Sequence, residues 1–290
     1  MKILVTGAGG MVGQALNQYC ELSGDEVLAY DHQALDISNP DLVKTAVLSA
    51  RPDAVINCAA WTDVDGCELD PARALAANAT GPENLAKASR QAGAGFVTIS
   101  TDYVFDGQKE GFYTQRDDPN PQSVYARSKL EGERRSQLAC ARTIVVRSGF
   151  IFGPGGKNFL STILDRARRG EPMKAIGNAY GMPTYARHLA ARLRELAQLD
   201  LPGVFHVVNA GDGVSYEEFA RAALDSGGYE GMNLETVDGD SLNRPAPRPR
   251  NSRMKCLFSK AVGLPALPFW ETALKEFVAT SYQADKPGQR

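Results

Sequence analysis

Along the first 150 residues, short unbroken apolar runs alternate with longer stretches whose apolar positions recur every three to four residues. The runs predict strands at Lys2–Thr6, Glu26–Tyr30, Ala54–Asn57, 96–100 and 143–147. The longer stretches predict helices at 12–21, 41–49 (opening at Asn39 or Pro40), 72–91 and 124–137. Strands separated by helices form parallel β-α-β units, and strands apolar along their whole length are those buried on both faces. The fold class that follows is α/β, a doubly wound parallel sheet.

The pattern changes after about Gly149. Gly153-Pro154-Gly155-Gly156 breaks it, and a helix at 159–168, a strand at Met173–Ile176, a helix at 187–198 and a strand at 204–208 follow. A helix at 217–224, with Ser215 as its N-cap, and a last helix at 270–280 complete the chain. Residues 281–290 are expected to fray. Two units are expected: residues 1–150 plus roughly 173–205, and a smaller C-terminal unit of roughly 151–172 plus 206–290.

Composition narrows the function. Lys plus Arg is 32 and Asp plus Glu is 34, a balance that speaks against nucleic acid or an anionic membrane as partner. At 43% hydrophobic and 23% charged, the chain has the means to build a core and is not disordered. No apolar run approaches the roughly 18 residues of a membrane span, and the start, Met1-Lys2-Ile3-Leu4-Val5-Thr6-Gly7, does not read as a signal peptide. The five cysteines form no CxxC pair and no Cys/His cluster, so reduced thiols in a cytoplasmic protein are expected, and no metal.

Gly7-Ala8-Gly9-Gly10-Met11-Val12-Gly13 lies between the first strand and the first helix. Glycines there allow a tight turn and let backbone N–H groups approach a pyrophosphate, with the helix N-terminus facing the anion. A bare glycine turn is the alternative. Asp31 closes the second strand, where a carboxylate can accept from the adenine ribose hydroxyls; a solvated turn residue is its alternative. With no Lys or Arg beside it, Asp31 leans towards NADH. The larger unit thus reads as a dinucleotide-binding domain.

Tyr125-Ala126-Arg127-Ser128-Lys129 puts a tyrosine and a lysine four residues apart on one helix face. Reducing a ketone requires a proton for the developing alkoxide, and an adjacent ammonium lowers the pKa of a phenol and can also hold ribose hydroxyls. The fourth strand ends in Ser100-Thr101-Asp102-Tyr103-Val104-Phe105 and the third in Asn57-Cys58-Ala59-Ala60-Trp61. Both ends border the crevice in which such sheets bind ligands. Asn243-Arg244-Pro245-Ala246-Pro247-Arg248-Pro249-Arg250-Asn251 reads as an extended basic loop, either a phosphate clamp or a solvated linker.

Together these residues resemble the extended short-chain dehydrogenase/reductase superfamily, and within it the dTDP-4-dehydrorhamnose reductase family. The likeness runs along essentially the whole chain. It rests on the glycine turn, on 57–65, on Ser100-Thr101-Asp102-Tyr103-Val104-Phe105-Asp106-Gly107, on Tyr125 to Glu133, on Gly156-Lys157-Asn158-Phe159, on Gly181-Met182-Pro183-Thr184 and on Arg244-Pro245-Ala246-Pro247-Arg248-Pro249. The resemblance implies a Rossmann-like extended fold with a smaller substrate-binding domain, and a catalytic set of Thr101, Tyr125 and Lys129. It implies NADPH or NADH along Gly7, Gly10, Met11, Val12, Gly13, Asp31, Asp36, Ile37, Ala59, Ala60, Trp61, Asn78, Tyr125 and Lys129. A nucleotide sugar is expected at Thr101, Asp102, Tyr103, Phe150, Asn158 and Arg248. The implied reaction reduces the 4-keto group of dTDP-4-dehydro-6-deoxy-L-mannose, in a monomer or homodimer.

Two positions depart from the family pattern. Phe150 stands where a tryptophan commonly packs on the sugar. Gln14-Ala15 follows the turn where members bridged by Mg²⁺ carry a glutamate. Two other readings share the motifs: another nucleotide-sugar epimerase or reductase of the superfamily, and a non-catalytic NADP-binding subunit resembling the regulatory subunit of methionine adenosyltransferase.

Overall fold

The computed structural model describes residues 1–282. The larger part opens with β1 (Lys2–Thr6), α1 (Met11–Leu22), β2 (Glu26–Tyr30), α2 (Pro40–Ala50) and β3 (Ala54–Asn57). It continues through α3 (Val64–Leu69), α4 (Pro71–Leu75), α5 (Gly81–Ala92), β4 (Gly95–Thr101), α6 (Val124–Ala139) and β5 (Thr143–Ser148). Next come β6 (Ile151–Phe152), α7 (Phe159–Arg169), β7 (Met173–Ile176), β8 (Tyr180–Gly181), β9 (Thr184–Tyr185), α8 (Ala186–Leu199) and β10 (Gly203–His206). The chain then runs through β11 (Asn209–Ala210), β12 (Val214–Ser215), α9 (Tyr216–Ser226), β13 (Leu234–Val237), β14 (Leu267–Phe269) and α10 (Trp270–Ser281).

Six strands form one parallel sheet in the order β10-β5-β4-β3-β1-β2. Alternation along each strand sends side chains to opposite faces. Ile3, Val5, Ile56, Val97, Ile144 and Val146 pack with Leu189 and Leu193 of α8 on one face. Leu4, Val55 and Phe96 pack with Val43, Val47 and Leu85 of α2 and α5 on the other. This two-sided core is why the strands read as unbroken apolar runs. No helix among the described residues is long and apolar enough to cross a membrane.

The single helix expected at 72–91 is interrupted. Residues 76–80 form a π turn between α4 and α5. Pro82 has no N–H to continue the ladder, and the turn widens ahead of it. α6 packs close against this turn, where a Cβ on Gly132 would overlap Asn78 O. The helix α3 was not expected; the Asp63 side chain caps it by accepting from Gly66 N at 3.0 Å. The expected strand at 204–208 is β10, two residues shorter at its end.

Met173–Ile176 does not join the six-stranded sheet but pairs with β13. The segment sits in a second apolar core with Ile163, Ala220 and Leu224. We propose that the boundary expected near 173 falls nearer β9, whose Tyr185 leads into α8 beneath the large sheet. A third core gathers Phe152, Tyr185, Phe219, Trp270 and Phe277 from β6, β9, α9 and α10. Fraying was expected from 281, but Ser281 still belongs to α10 and Tyr282 meets Phe277 edge to face at 5.6 Å; the rest of that expectation, 283–290, lies outside the described residues.

Candidate active site

The glycine turn is shaped by close backbone contacts. Gly7 has φ +69°, and a Cβ there would lie 2.5 Å from Ala59 N. A Cβ on Gly13 would overlap Gly7 O and come within 2.8 Å of Ala8 Cα, whereas one on Gly10 would meet only Gly7 O at 3.3 Å. Gly10 caps α1 with no side-chain hydrogen bond, so the first-turn N–H groups are left open towards a cavity. Gln14 Nε2 donates to Gly9 O at 2.7 Å and to Gly155 O at 3.2 Å, tying the turn to the 153–156 loop.

That cavity has a volume of about 510 Å³ and is lined by Gly10, Met11, Val12, Gly13, Cys58, Ala60, Thr101, Asp102, Tyr103, Tyr125, Lys129, Phe150 and Asn158, among others. A glycine-floored crevice at an open helix N-terminus suits a dinucleotide pyrophosphate. The fit to a nicotinamide cofactor rests on this cradle, which a side chain at 10 would enter and which the close packing of Gly13 on Gly7 and Ala8 shapes.

Other residues expected at the cofactor lie around the same loops. Asp31 Oδ1 accepts from Gln33 N at 2.9 Å and Ala34 N at 2.8 Å, fixing the turn after β2 beside Gly9. Asp36 Oδ1 accepts from Ser38 N and Oγ, and these bonds hold its carboxyl below the usual range. Ile37 is buried against Gly81, and its carbonyl accepts from Asn84. Ala59 N donates to Asn57 Oδ1 at 3.0 Å. Asn78 departs from expectation. It is buried, its Oδ1 accepts from Trp61 N at 2.8 Å, and its Nδ2 donates to Trp61 O and Ser128 Oγ. Asn78 therefore clamps the Ala60-Trp61 loop to α6 and does not face the cavity.

Tyr125 and Lys129 share the inner face of α6, 9% and 5% exposed. Burial pushes the Tyr125 phenol above its ordinary value, against the pull of a hydrogen bond with Thr101. Lys129 Nζ donates to Ile99 O at 2.7 Å. Burial pulls its pKa down to about 8, against Glu133 and Cys58. The expectation that Lys129 lowers the Tyr125 pKa is thus not what the structure shows: the ammonium is held by β4, and desolvation governs the phenol. Glu133, one turn further along, pairs with Arg147 at 3.0 and 2.7 Å and accepts from Ser100, anchoring α6 to β4 and β5.

Thr101 Oγ1 donates to Asp102 Oδ1 at 3.1 Å and accepts from Tyr103 N at 3.2 Å. Asp102 is buried, and burial pushes its carboxyl up to about 6 in spite of hydrogen bonds from Ser252 and Thr101. Tyr103 meets Tyr125 edge to face at 6.1 Å and hydrogen-bonds Tyr216. Phe150 stacks on Tyr216 with centroids 4.1 Å apart. It adopts φ +43°, a conformation aromatic residues rarely take, beside Gly181, where a Cβ would lie 2.5 Å from its Cδ1.

A second cavity of about 450 Å³ shares Tyr103, Phe150, Phe159 and Tyr216 with the first and is roofed by residues 246–250. Arg248 lines it, yet its guanidinium is held by Asp65 of α3, with Nη1 on Oδ1 at 2.9 Å and Nη2 on Oδ2 at 2.7 Å. Arg250 pairs with Asp240, and Arg253 lies over Tyr180 at 5.6 Å. Asn158 reaches the first cavity, but its Oδ1 caps α7 through Ser161 N and its Nδ2 donates to Gly153 O and Gly156 O. Asn158 and Arg248 therefore have protein partners where substrate contacts were expected. Nothing in the sequence marks Tyr216, Ser252 or Asp65 for these roles, because each meets its partner from more than a hundred residues away in the chain.

The model of the RmlD substrate binding domain matches residues 1–283. A dTDP-4-dehydrorhamnose reductase of Mycolicibacterium smegmatis is 36% identical over 99% of this chain and 88% of its own. Its counterpart in Mycobacterium tuberculosis is 37% identical over 96% and 92%. A solved dTDP-4-dehydrorhamnose reductase of Bacillus anthracis in complex with NADP is 31% identical, covers 97% of this chain and 100% of its own, and superposes with a TM-score of 0.93.

Proposed function

The chain belongs to the RmlD substrate binding domain family, and from this membership and the site's geometry we propose that it reduces the 4-keto group of dTDP-4-dehydrorhamnose to give dTDP-L-rhamnose, with NADPH or NADH as reductant. The observation that carries the reading is the position of Tyr125. Its phenol lines the same cavity as the open N-terminus of α1, is acted on by Thr101 at the end of β4, and stays protonated at neutral pH because it is buried. A reduction needs an acid at that point, and a protonated phenol is one.

Gly7, Gly10, Met11, Val12 and Gly13 would hold the pyrophosphate. Asp31 would take the adenine ribose, Asp36 and Ile37 would border the adenine, Ala59, Ala60 and Trp61 would floor the passage, and Lys129 would reach the second ribose. When bound, the reduced nicotinamide supplies hydride. Tyr125 Oη gives its proton to the oxygen that becomes the 4-hydroxyl, while Thr101 orients that phenol. Tyr103, Phe150 and Tyr216 wall the sugar. Asp102 shapes the pocket floor, Asn158 holds the 153–156 loop around it, and Arg248, with Arg244 nearby, adds positive charge beside the second cavity. Five free cysteines among the described residues fit a reducing, cytoplasmic setting for a monomer or homodimer.

The test is product identification. Incubated with dTDP-4-dehydrorhamnose and reduced cofactor, the protein should yield a nucleotide sugar two hydrogens heavier with a hydroxyl at C4. Recovery of the unchanged ketosugar or of a C-epimer alone would rule out the reductase.

A further inference from the structure

The 153–158 segment crosses the glycine turn and carries one cation, Lys157. Gly156 lies so close over the first residue of α1 that a Cβ on it would stand 3.0 Å from Met11 Cβ. Ahead of Lys157, Gln14 Nε2 donates to Gly155 O at 3.2 Å. Gly155 has φ +83°, and a Cβ there would overlap Gln14 Oε1. Behind it, Asn158 Nδ2 donates to Gly153 O at 2.9 Å and to Gly156 O at 3.2 Å. The backbone on both sides of Lys157 is thus fixed beside the N-terminus of α1. Lys157 lines the first cavity with Gly10, Met11, Val12 and Gly13, and its ammonium has no partner among the described residues.

We propose that Lys157 binds the pyrophosphate of the nicotinamide cofactor together with the N-terminus of α1, an inference that rests on the cofactor reading of the first cavity. The argument is one of charge. A pyrophosphate diester carries two negative charges, and a helix N-terminus offers the equivalent of roughly half a positive one. Only two side chains lining the cavity are cationic, Lys129 and Lys157. Lys129 Nζ is held by Ile99 O at 2.7 Å, on the face of α6 that carries Tyr125. The third charged group in the lining is Asp102, an acid. The glycine turn has no cation of its own, and Lys157 is the one that the 153–158 segment brings to it. An ammonium with three donors on a flexible stem meets phosphate oxygens as a point charge.

The reaction involves a second diphosphate, that of the sugar nucleotide, and the cations divide between the two. Lys174, Arg244, Arg248 and Arg250 line the second cavity, and Lys157 does not. Lys157 lines only the first, where the glycine turn lies. The pyrophosphate is common to NADH and NADPH, so Lys157 in this role strengthens both alike and does not choose between them.

The test measures binding. NADH and NADPH are titrated by fluorescence, and dTDP by calorimetry, into native protein, Lys157→Met, Lys157→Glu and Lys157→Arg. Lys157→Met should weaken both cofactors equally, roughly fivefold or more at about 50 mM salt, and Lys157→Glu should weaken them further. Lys157→Arg keeps the charge and should stay within about twofold of native. At about 500 mM salt the gap between native and Lys157→Met should shrink towards twofold, a dependence that a packing role would not show. Affinity for dTDP should stay within about twofold throughout. Unchanged cofactor affinity in Lys157→Met overturns the assignment. So does a loss shared equally with dTDP or confined to it, and so does a loss confined to NADPH, which would mark the 2′-phosphate instead. Native protein that binds neither NADH nor NADPH overturns the cofactor reading itself, and the assignment with it.

Discussion

Arg248 binds Asp65 through both ends of its guanidinium, at 2.9 and 2.7 Å, and Ala246 N donates to the same carboxylate at 3.1 Å. The pair joins α3 of the large part to the proline-rich loop roofing the second cavity, and it holds the Asp65 carboxyl below its usual range. Its function is therefore to set the loop, and either partner alone should be dispensable once the other is lost. Asp65→Asn and Arg248→Ala should each raise the KM for the sugar nucleotide roughly tenfold, as loss of a charge-assisted contact does. The double variant should be no worse than the worse single one. A double-mutant cycle that is fully additive would mean that Arg248 acts on the diphosphate independently of Asp65.

The glycine turn separates folding from binding. Gly13→Ala drives a methyl into Gly7 O and Ala8 Cα, and overpacking of this kind costs roughly 1–3 kcal/mol. Gly10→Ala meets only Gly7 O at 3.3 Å, with φ −78° that alanine adopts freely. Its methyl should protrude towards the pyrophosphate and weaken cofactor binding roughly tenfold, with stability within about 0.5 kcal/mol of native. Urea unfolding and cofactor fluorescence titration check the pair. Native affinity in Gly10→Ala would show that the pyrophosphate lies elsewhere.

Lys129 should make cofactor binding depend on pH. Burial lowers its pKa to about 8, while Glu133 and Cys58 pull it back up. Its charged form is the better donor to ribose oxygens, so affinity of the free enzyme for reduced cofactor should fall as pH rises past about 8. Lys129→Met should bind weakly and with no such dependence. A native titration that is flat from pH 7 to 9.5 would remove Lys129 from cofactor binding.

The buried His206 should govern part of the acid stability. Its pKa is lowered to about 4 by burial and by the Arg147 charge, and its Nδ1 faces Lys255 O at 3.0 Å. Between about pH 4 and 6.5 the unfolded chain binds the proton that the folded one excludes, so stability rises with pH across this window and is lost on acidification. Asp102, whose pKa is raised to about 6, acts with the opposite sign between about pH 4 and 6. Urea unfolding at pH 7 and pH 4.5 should show a smaller acid loss in His206→Gln than in native protein. An equal loss would assign the acid sensitivity to the carboxylates.

Strands β1, β3, β4 and β5 were legible because burial on both faces keeps their centres apolar, and the half-exposed edge strand β2 was legible from its short apolar run at 27–30. The glycine turn and the Tyr125–Lys129 spacing were legible because both are local, held within one turn or one helix. What the sequence hid are encounters across distance. Arg248 meets Asp65, and Ser252 meets Asp102, only once the smaller part has folded against the sheet. Asn158 and Asn78 sit in or beside recognisable motifs, but only the fold shows their amides bound to backbone. The Phe150 ring needs Gly181 beside it, since a Cβ there would overlap the ring, and nothing near Phe150 in the chain signals that.

The most direct measurement follows the absorbance of reduced cofactor after dTDP-4-dehydrorhamnose is added to native protein and to Tyr125→Phe, with cofactor affinity measured in parallel. The account predicts one cofactor oxidised per ketosugar by native protein. It predicts kcat lower by roughly 10²–10⁴ in Tyr125→Phe, with cofactor affinity unchanged. No net oxidation by native protein, or a Tyr125→Phe variant with near-native kcat, would contradict it.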